Sequence, residues 1–478
     1  MRSTFPSTSV TAAVHSNQES RPIVTRVLLW LIGSALLGLA IKQFTVLATI
    51  HAWGTLGLVL YWASSRQHTW RATLGLAYIA AGEVVWRMSN ASVNYEFGKY
   101  SVALILLILL SKNPPKRLNI VAIWYFALLL PSCVLTIQYF AGDFDLLRKE
   151  ASFSISGPFA LSVAVVYFTG RVYSRAQIRQ LLICMLGPLV STASICTFST
   201  YQLGTSYEFT TNSNFDTTGG FGPNQVSSAL AFGVLFAFLL GQFWRKRTVI
   251  SGALSAMLSL YFLAQAALTF SRTGVWIGLG CIIAVMAFAS QDLGRLIPMA
   301  LAAVLLSLAA YLVVIPVLDR FTGGKLADRF HQEGFTGREK IARLDIELAL
   351  DNPVMGVGLG LSKYARASAL DAGIAAHTEF TRLLAEHGSM GALAILAMFW
   401  IAASALLRAN DPLSRAWVAG LCTYAFLFMT CSGMRLVAPS FALGLASISI
   451  AKGRSLPQGP RVPMAGRGRP SYNRKAEP

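Results

Sequence analysis

The feature that most constrains this chain is a series of apolar blocks separated by short basic segments. Each block is about 17–22 residues long, and at about 1.5 Å per residue a helix of that length crosses the roughly 30 Å hydrocarbon core of a bilayer. Hydrophobic residues make up 54% of the chain and charged residues only 13%. Soluble domains carry about twice that share of charge. These patterns predict a polytopic integral membrane protein.

The predicted fold class is all-α: a helical bundle of about 12–14 transmembrane helices with one large helical loop outside the membrane. Three of the predicted spans fit the pattern least well: the third, the fourth and the last. The third has Glu83 and Arg87 in or near it. The predicted spans are centred near residues 24–41, 45–63, 72–86, 100–111, 119–140, 157–170, 180–199, 226–243, 249–269, 274–290, 296–315, 389–407, 416–434 and 436–451.

Basic residues alternate along the loops, as the positive-inside rule requires. With the N-terminus inside, every second short loop carries lysine or arginine: Arg66 and Arg71; Lys112, Lys116 and Arg117; Arg171, Arg175 and Arg179; Arg245, Lys246 and Arg247; Arg295; Arg408 and Arg415. The pattern predicts that both termini are cytoplasmic. The predicted segments are a cytoplasmic N-terminus (1–23), the first part of the bundle (24–315), a periplasmic helical loop with the active site (316–388), the last part of the bundle (389–451) and a basic disordered tail (452–478).

The net charge of +19 does not predict a nucleic-acid partner, because the cations lie in short loops and tails between apolar blocks. The six cysteines lie in or beside apolar blocks without a CxxC or CxxH pattern. We therefore interpret them as small core residues, and no disulfide or metal site is predicted.

One helix in the long loop has recognisable ends. Thr336 is the predicted N-cap, Glu339 completes a capping box, and Asn352-Pro353 ends the helix. Arg338 then lies in the first turn, where the free N–H groups and the helix dipole favour an anion. An arginine in that position suits a bound phosphate; the alternative is a solvated arginine or a local salt bridge. The predicted apolar stripe is Ile341, Leu344, Leu348 and Ala342.

A second amphipathic helix follows and is predicted to end at Gly388, with His387 as a cap. His377 lies at its start, where a helix N-terminus lowers the pKa of histidine and favours the neutral imidazole that a general base needs. The alternative is a structural histidine. Between the two helices, MGVGLG at 355–360 has no βαβ context for a dinucleotide site and predicts a flexible turn.

Together these segments resemble the bacterial family of O-antigen ligases and O-antigen or exopolysaccharide polymerases. The resemblance covers roughly residues 200–435. Its motifs are GPNQ before a span, SRTG at Ser271–Gly274, the pair Gly337-Arg338, the NP…GVGLG turn and H-x-E-F-x-R-L-L-A-E-x-G-x-x-G from His377 to Gly391. Thr378 departs from the family pattern, which usually has asparagine after the histidine, and two spans exceed the commonest family count.

The resemblance implies a metal-independent, cofactor-free, inverting glycosyltransferase that works at the periplasmic face of the inner membrane. Its donor would be a glycan on undecaprenyl diphosphate, and its acceptor a glycan or the lipid A core. His377, Arg338 and Arg272 would be catalytic, His377 as general base and the arginines on the diphosphate. Further contacts to the diphosphate or glycan are implied for Asn224, Glu379 and Arg382. Membrane lipids, a chain-length regulator and export machinery are the other expected partners.

Three functions remain open from the sequence. The first is polymerisation of lipid-linked repeat units, and the second is ligation of finished O-antigen to the lipid A core, with transfer to a protein hydroxyl as its variant. A transporter or flippase is the third. Transporters place key charges near the bilayer midplane in matching halves. Here the notable charges lie in predicted outside loops, which favours an enzyme.

Overall fold

The computed structural model describes residues 8–204, 207–244, 248–289, 312, 315–331, 338–367 and 376–451, with side chains from Val24 onward. Nearly all regular structure in these residues is helical. Nine of the described helices are long and apolar enough to cross a membrane. The prediction of an all-α polytopic membrane protein is confirmed. Residues 296–311, 313 and 314 of the span predicted at 296–315, the N-cap Thr336 and the tail 452–478 lie outside the described residues.

The described helices are α1 (Thr8–Gln43), α2 (Thr45–Ala63), α3 (Thr69–Met88), α4 (Phe97–Lys112), α5 (Ile120–Ala127), α6 (Cys133–Tyr139), α7 (Phe144–Phe168), α8 (Arg175–Gln202), α9 (Pro223–Phe243), α10 (Val249–Leu268), α11 (Arg272–Ala289), α12 (Ile315–Phe321), α13 (Lys325–His331), α14 (Arg338–Asp351), α15 (Ser362–Ala365), α16 (Glu379–Arg408), α17 (Pro412–Cys431) and α18 (Ala438–Ala446). The strands β1 (Val172–Tyr173) and β2 (Ser449–Ile450) pair in parallel.

Two predicted spans differ from the helices observed. The span predicted at 119–140 is divided into α5 and α6, because Pro131 lacks an N–H and disfavours helical geometry at the preceding residue. The span predicted at 436–451 is the short helix α18, after which the chain turns and joins a strand pair. There, Ser449 N donates to Arg171 O at 2.8 Å and Ala451 N donates to Tyr173 O at 2.9 Å.

The bundle has two distinguishable ends. At one end, Arg87 in the last turn of α3 meets Gln225 of α9, and Ser271 before α11 meets Asn224. We call this the motif end, because it contains the GPNQ and SRTG segments. The strand pair β1–β2 marks the opposite end, which we call the strand end. Helix α9 is buried along almost its whole length and packs against α8, α10 and α11, so its first turn is held rigidly at the motif end.

Candidate functional site

The SRTG and GPNQ segments pack directly against each other. Asn224 Oδ1 accepts a hydrogen bond of 2.7 Å from Ser271 Oγ. Ser227 Oγ donates to Ser271 O at 3.1 Å and accepts from Gly274 N at 3.0 Å. A Cβ at Gly274 would overlap the Ser227 hydroxyl and carbonyl, so only glycine permits this approach. These contacts fix Arg272 at the start of α11, beside the first turn of α9.

Arg329 of α13 reaches the same turn, although nothing in the sequence singled it out. Its Nε donates to Phe270 O at 3.1 Å, and Phe270 has the left-handed φ of 55° that turns the chain before Ser271. Burial lowers the pKa of Arg329, and the positive charges of Arg272 and Arg338 lower it further. Through its hydrogen bond to Phe270, Arg329 contacts the turn that precedes Arg272.

Helix α14 carries Arg338 as its first described residue and ends at Asp351, before Asn352-Pro353 as predicted. Of the predicted apolar stripe, Ile341 is buried, whereas Leu344 and Leu348 are half-buried. Burial lowers the pKa of Arg338; Cys431 opposes this shift, and the positive charges of Arg272 and Arg435 add to it. Arg338 is half-buried, so a ligand can reach it.

Asp345 fixes α14 against α16, a role that the sequence did not reveal. Its carboxylate is fully buried, forms an ion pair with Arg366 and accepts a hydrogen bond of 2.9 Å from Thr381 Oγ1. Thr381 lies in the first turns of α16, four residues after His377. The tether therefore sets the position of the Arg338 helix relative to the His377 segment.

His377 lies just before α16, whose N-cap Thr378 accepts a hydrogen bond of 3.2 Å from Phe380 N. Burial lowers the pKa of His377 to about 4, and the positive charges of Arg338, Arg435 and Arg366 add to the shift. The imidazole is therefore neutral at pH 7. The sequence predicts a lowered pKa of His377 from the helix N-terminus, whereas in the structure burial and neighbouring arginines lower it.

Arg435, between α17 and α18, is a further cation beside His377. Its Nη2 donates to Ala376 O at 3.3 Å, so its guanidinium contacts the residue before the histidine. The sequence analysis missed it. The available signal was a lone arginine between the last two predicted spans, on the same predicted side as Arg272. Arg272, Arg338, His377 and Arg435 are all half-buried.

Glu379 and Arg382, predicted to bind substrate, form a buried network with protein groups. Arg382 Nε donates to Glu379 Oε2 at 3.1 Å, and its Nη1 donates to Glu386 Oε2 at 2.6 Å. Glu379 Oε2 also accepts from Met434 N at 3.0 Å. The three side chains line a small polar cavity that Ala376 and Arg435 also border. A direct substrate contact by Glu379 or Arg382 stays a prediction.

The predicted end of the second helix is a break inside α16. Gly388 has the non-helical angles φ 57° and ψ −132°, and the helix then continues to Arg408. The GVGLG turn packs into this break: Val357 N donates to Ala385 O at 2.9 Å and Gly358 N donates to Glu386 O at 3.1 Å. The turn predicted as flexible is thus hydrogen-bonded to α16.

His387, predicted to cap that helix, has a buried imidazole instead. Its Nδ1 forms a hydrogen bond of 2.6 Å with Ser132 Oγ, next to the break between α5 and α6. This contact joins the helix break at Gly388 to the other interrupted part of the bundle. His387 therefore packs inside the bundle, and its side chain is not exposed to a ligand at the motif end.

The arrangement combines several arginines with one neutral histidine at one end of a membrane bundle. Such a site can hold a multiply charged anion such as a diphosphate and accept a proton from a nearby hydroxyl. Among the described residues, no group of three or more His, Cys, Asp and Glu side chains could hold a metal ion.

A comparison with known families agrees with this chemistry. A family model described as O-antigen ligase matches residues 258–396, a range that contains SRTG, α14, the GVGLG turn and the His377 segment. No curated protein matches the sequence. The match to the family model supports the resemblance of residues 258–396 to the O-antigen ligase and polymerase family.

Proposed function

We propose that this protein polymerises lipid-linked oligosaccharide repeat units into O-antigen or exopolysaccharide. The observation that carries the proposal is the meeting of two cationic elements at the His377 segment: Arg435 contacts Ala376 O, and Asp345 ties the helix of Arg338 to Thr381. A diphosphate leaving group and an acceptor hydroxyl need this pairing of fixed positive charge with an uncharged base.

The reaction is a single displacement at the anomeric carbon. The acceptor oxygen attacks C1 from the face opposite the leaving group, the C1–O bond to the diphosphate breaks, and the configuration at C1 inverts. Arg272 and Arg338 offset the negative charge that builds on the diphosphate, since planar guanidinium groups bind two phosphate oxygens at once. His377 takes the proton of the acceptor hydroxyl. No metal or cofactor enters the proposed step.

We place the motif end in the periplasm. The support is the alternation of basic loops, which assigns the segments around Asn224, Arg272 and His377 to the outside. The strand end lies next to the basic segment around Arg171 and Arg175, which the same rule assigns to the cytoplasm. The protein would then use undecaprenyl diphosphate donors from the outer leaflet of a bacterial inner membrane.

The ligase reaction is the second candidate, favoured by the description of the matching family model. It shares the donor and the proposed residues and differs only in the acceptor. A deletion strain separates the two. Loss of polymer with single repeats still formed indicates the polymerase, whereas full-length polymer left on the lipid carrier indicates the ligase.

The direct test uses purified full-length protein, a lipid-linked repeat unit and EDTA in the buffer. We expect the wild type to lengthen the glycan and to release undecaprenyl diphosphate. We expect His377→Ala and Arg338→Ala to lose at least about 100-fold in rate, the usual contribution of a general base or a transition-state charge contact.

The matched control for that assay is Arg415→Gln. Arg415 Nε donates to Ala409 O at 3.1 Å near the strand end of α17, far along the helix from the site. It should keep wild-type activity. Near wild-type activity in both site variants, at equal protein levels, would contradict the proposed mechanism.

A further inference from the structure

The segment 433–437, which joins α17 to α18 and carries Arg435, is held by side chains from three other helices. Val437 N donates to Glu83 Oε2 at 2.7 Å, and Arg435 O accepts from Arg87 Nη1 at 3.0 Å. Both main-chain groups of Met434 are bonded: its N–H donates to Glu379 Oε2, and its carbonyl oxygen accepts from Lys99 Nζ at 3.4 Å. We call these four charged residues the clamp: Glu83, Arg87, Lys99 and Glu379.

The clamp residues are buried to an unusual degree for charged groups. Glu379 and Lys99 have no exposed surface, Glu83 retains 3%, and the Arg87 side chain retains 7%. Removing a charged group from water costs on the order of several kcal/mol, and pairing with an opposite charge restores only part of that free energy. A connection this short could be packed with apolar contacts. Four buried charged side chains from other helices that bond to the main chain of one short segment therefore indicate that the geometry of this segment is tightly specified.

The clamp also connects Arg435 to the opposite side of the candidate site. Arg87 Nη1 donates to Gln225 Oε1 at 2.8 Å, in addition to Arg435 O. Gln225 follows Asn224, which accepts the hydrogen bond from Ser271 next to Arg272. One guanidinium therefore links the segment of Arg435 to the GPNQ segment, and so to the turn that places Arg272.

We propose that Arg435 is a further cation of the diphosphate-binding site and that Glu83 and Arg87 are positioning residues that hold it there. Arg435 bonds Ala376 O through one nitrogen, and a guanidinium carries five N–H donors. The same group can therefore brace the residue before His377 and bind phosphate oxygens. The identity of the ligand as a diphosphate rests on the proposed function.

A double-mutant cycle tests the proposal, with inorganic pyrophosphate as the probe and calorimetric titration of detergent-purified full-length protein as the measurement. The variants are Arg435→Gln, the paired change Glu83→Gln with Arg87→Gln, and all three changes together. The paired change removes both buried charges, since removing one alone leaves its partner unneutralised. Arg415→Gln is the control, a guanidinium in the first turn of α17 at the strand end.

We expect Arg435→Gln to weaken pyrophosphate binding by about tenfold or more, as for loss of a hydrogen bond to a charged group. The paired change should also weaken binding in the wild-type background and should have a smaller effect once Arg435 is glutamine, because only the link of Arg87 to Gln225 is then lost. If the paired change weakens pyrophosphate binding equally with Arg435 present and with Arg435→Gln, Glu83 and Arg87 do not act through Arg435, and their positioning role is overturned. Wild-type affinity in Arg435→Gln, or no binding by the wild type, would overturn the site.

If the paired variant does not fold, Arg87→Lys replaces it in the same cycle. Lysine keeps the ion pair with Glu83 but loses the planar fork that reaches Gln225 and Arg435 O together. Pyrophosphate binding needs no turnover. A protein that binds pyrophosphate through Arg435 but transfers no glycan would therefore contradict the proposed reaction and leave the anion site in place.

Discussion

At the scale of single residues, the protonation state of His377 decides what the site can do. Burial and three arginines lower its pKa to about 4, so the imidazole is a neutral proton acceptor at pH 7. Because the arginines contribute to the low pKa, they have two effects: they attract the diphosphate and they keep the base uncharged. A bound diphosphate would offset their charge and raise the affinity of His377 for the acceptor proton.

The pH dependence of transfer tests this coupling. In the wild type, kcat/KM for the donor should stay high as the pH falls from 7 and should drop only near the His377 pKa of about 4. Arg338→Gln removes a charge that lowers this pKa, so the acidic drop should move to higher pH, toward the ordinary histidine value. Arg415→Gln should leave the profile unchanged. An unshifted profile in Arg338→Gln would show that the arginine does not set the state of the base.

The candidate residues were predictable where they lie at a recognisable helix start. Arg338 lies in the first turn of a helix with recognisable ends, and His377 precedes an amphipathic helix, so the chemistry of both could be predicted from the local sequence. Arg329 and Arg435 gave no such signal. Each is brought to the site by a main-chain carbonyl from a distant segment, Phe270 O and Ala376 O respectively. Sequence spacing contains no information on contacts of that kind.

At the scale of elements, the site depends on how α14 is attached to α16. The buried Asp345 carboxylate of α14 pairs with Arg366, just after α15, and accepts a hydrogen bond from Thr381 of α16. Asp345→Asn removes the negative charge from the buried ion pair with Arg366 and changes the acceptor of the Thr381 hydrogen bond. We expect it to destabilise the fold by about 3–5 kcal/mol, as for other broken buried pairs, and to reduce transfer by displacing Arg338.

Thermal unfolding in detergent measures that loss, and the exposed pair Asp145–Arg148 provides the control. Its carboxylate is 91% exposed, so Asp145→Asn should change neither the melting temperature nor the activity. Equal melting temperatures for Asp345→Asn and Asp145→Asn would show that the buried tether does not hold the two helices together.

The approach of α11 to α9 gives a second element-level prediction. Gly274→Ala would force a Cβ into the Ser227 hydroxyl and carbonyl, so the helices must separate at the turn that carries Arg272. We expect a lower melting temperature and loss of glycan transfer. The control is Gly252→Ala in α10, where no atom lies within 4 Å of the added Cβ. It should be neutral or stabilise by up to about 1 kcal/mol, since alanine suits a helix better. Equal melting temperatures and transfer rates for Gly274→Ala and Gly252→Ala would show that α11 and α9 do not need a glycine at position 274 for their close packing.

The limits of the helices were predictable where capping or proline chemistry marks them. The end of α14 at Asp351 and the break at Gly388 follow from Asn352-Pro353 and from a glycine with positive φ. The division of the predicted span 119–140 was missed, although Pro131 marks it. The packing of GVGLG into the α16 break was also missed, because its N–H groups bond carbonyls of a later helix.

At the scale of the whole molecule, the bundle separates its two ends chemically. The motif end collects Arg272, Arg338, His377 and Arg435, whereas the strand end carries the β1–β2 pair and the basic segment after α7. The all-α membrane fold was predictable because apolar block length and loop charge are properties of the sequence itself. The arrangement of helices around α9 was not, because it depends on packing between distant blocks.

The orientation in the membrane can be tested with single cysteines and a membrane-impermeant maleimide on spheroplasts. Thr210→Cys lies exposed in the loop before α9 at the motif end, and Lys116→Cys lies exposed between α4 and α5 at the strand end. None of the six native cysteines is exposed. We expect labelling of Thr210→Cys alone, and of both after the membrane is permeabilised. Labelling of only Lys116→Cys in intact spheroplasts would reverse the proposed orientation.

The most direct test of the central claim is the single-turnover rate of glycan transfer by His377→Ala, measured at saturating lipid-linked donor alongside donor affinity. Since the arginines remain, we predict a donor Kd within about threefold of wild type and a transfer rate reduced about 10²–10⁴-fold, as for loss of a general base. A single-turnover rate close to wild type, with the donor bound normally, would show that His377 is not the proton acceptor and that the proposed chemistry is wrong.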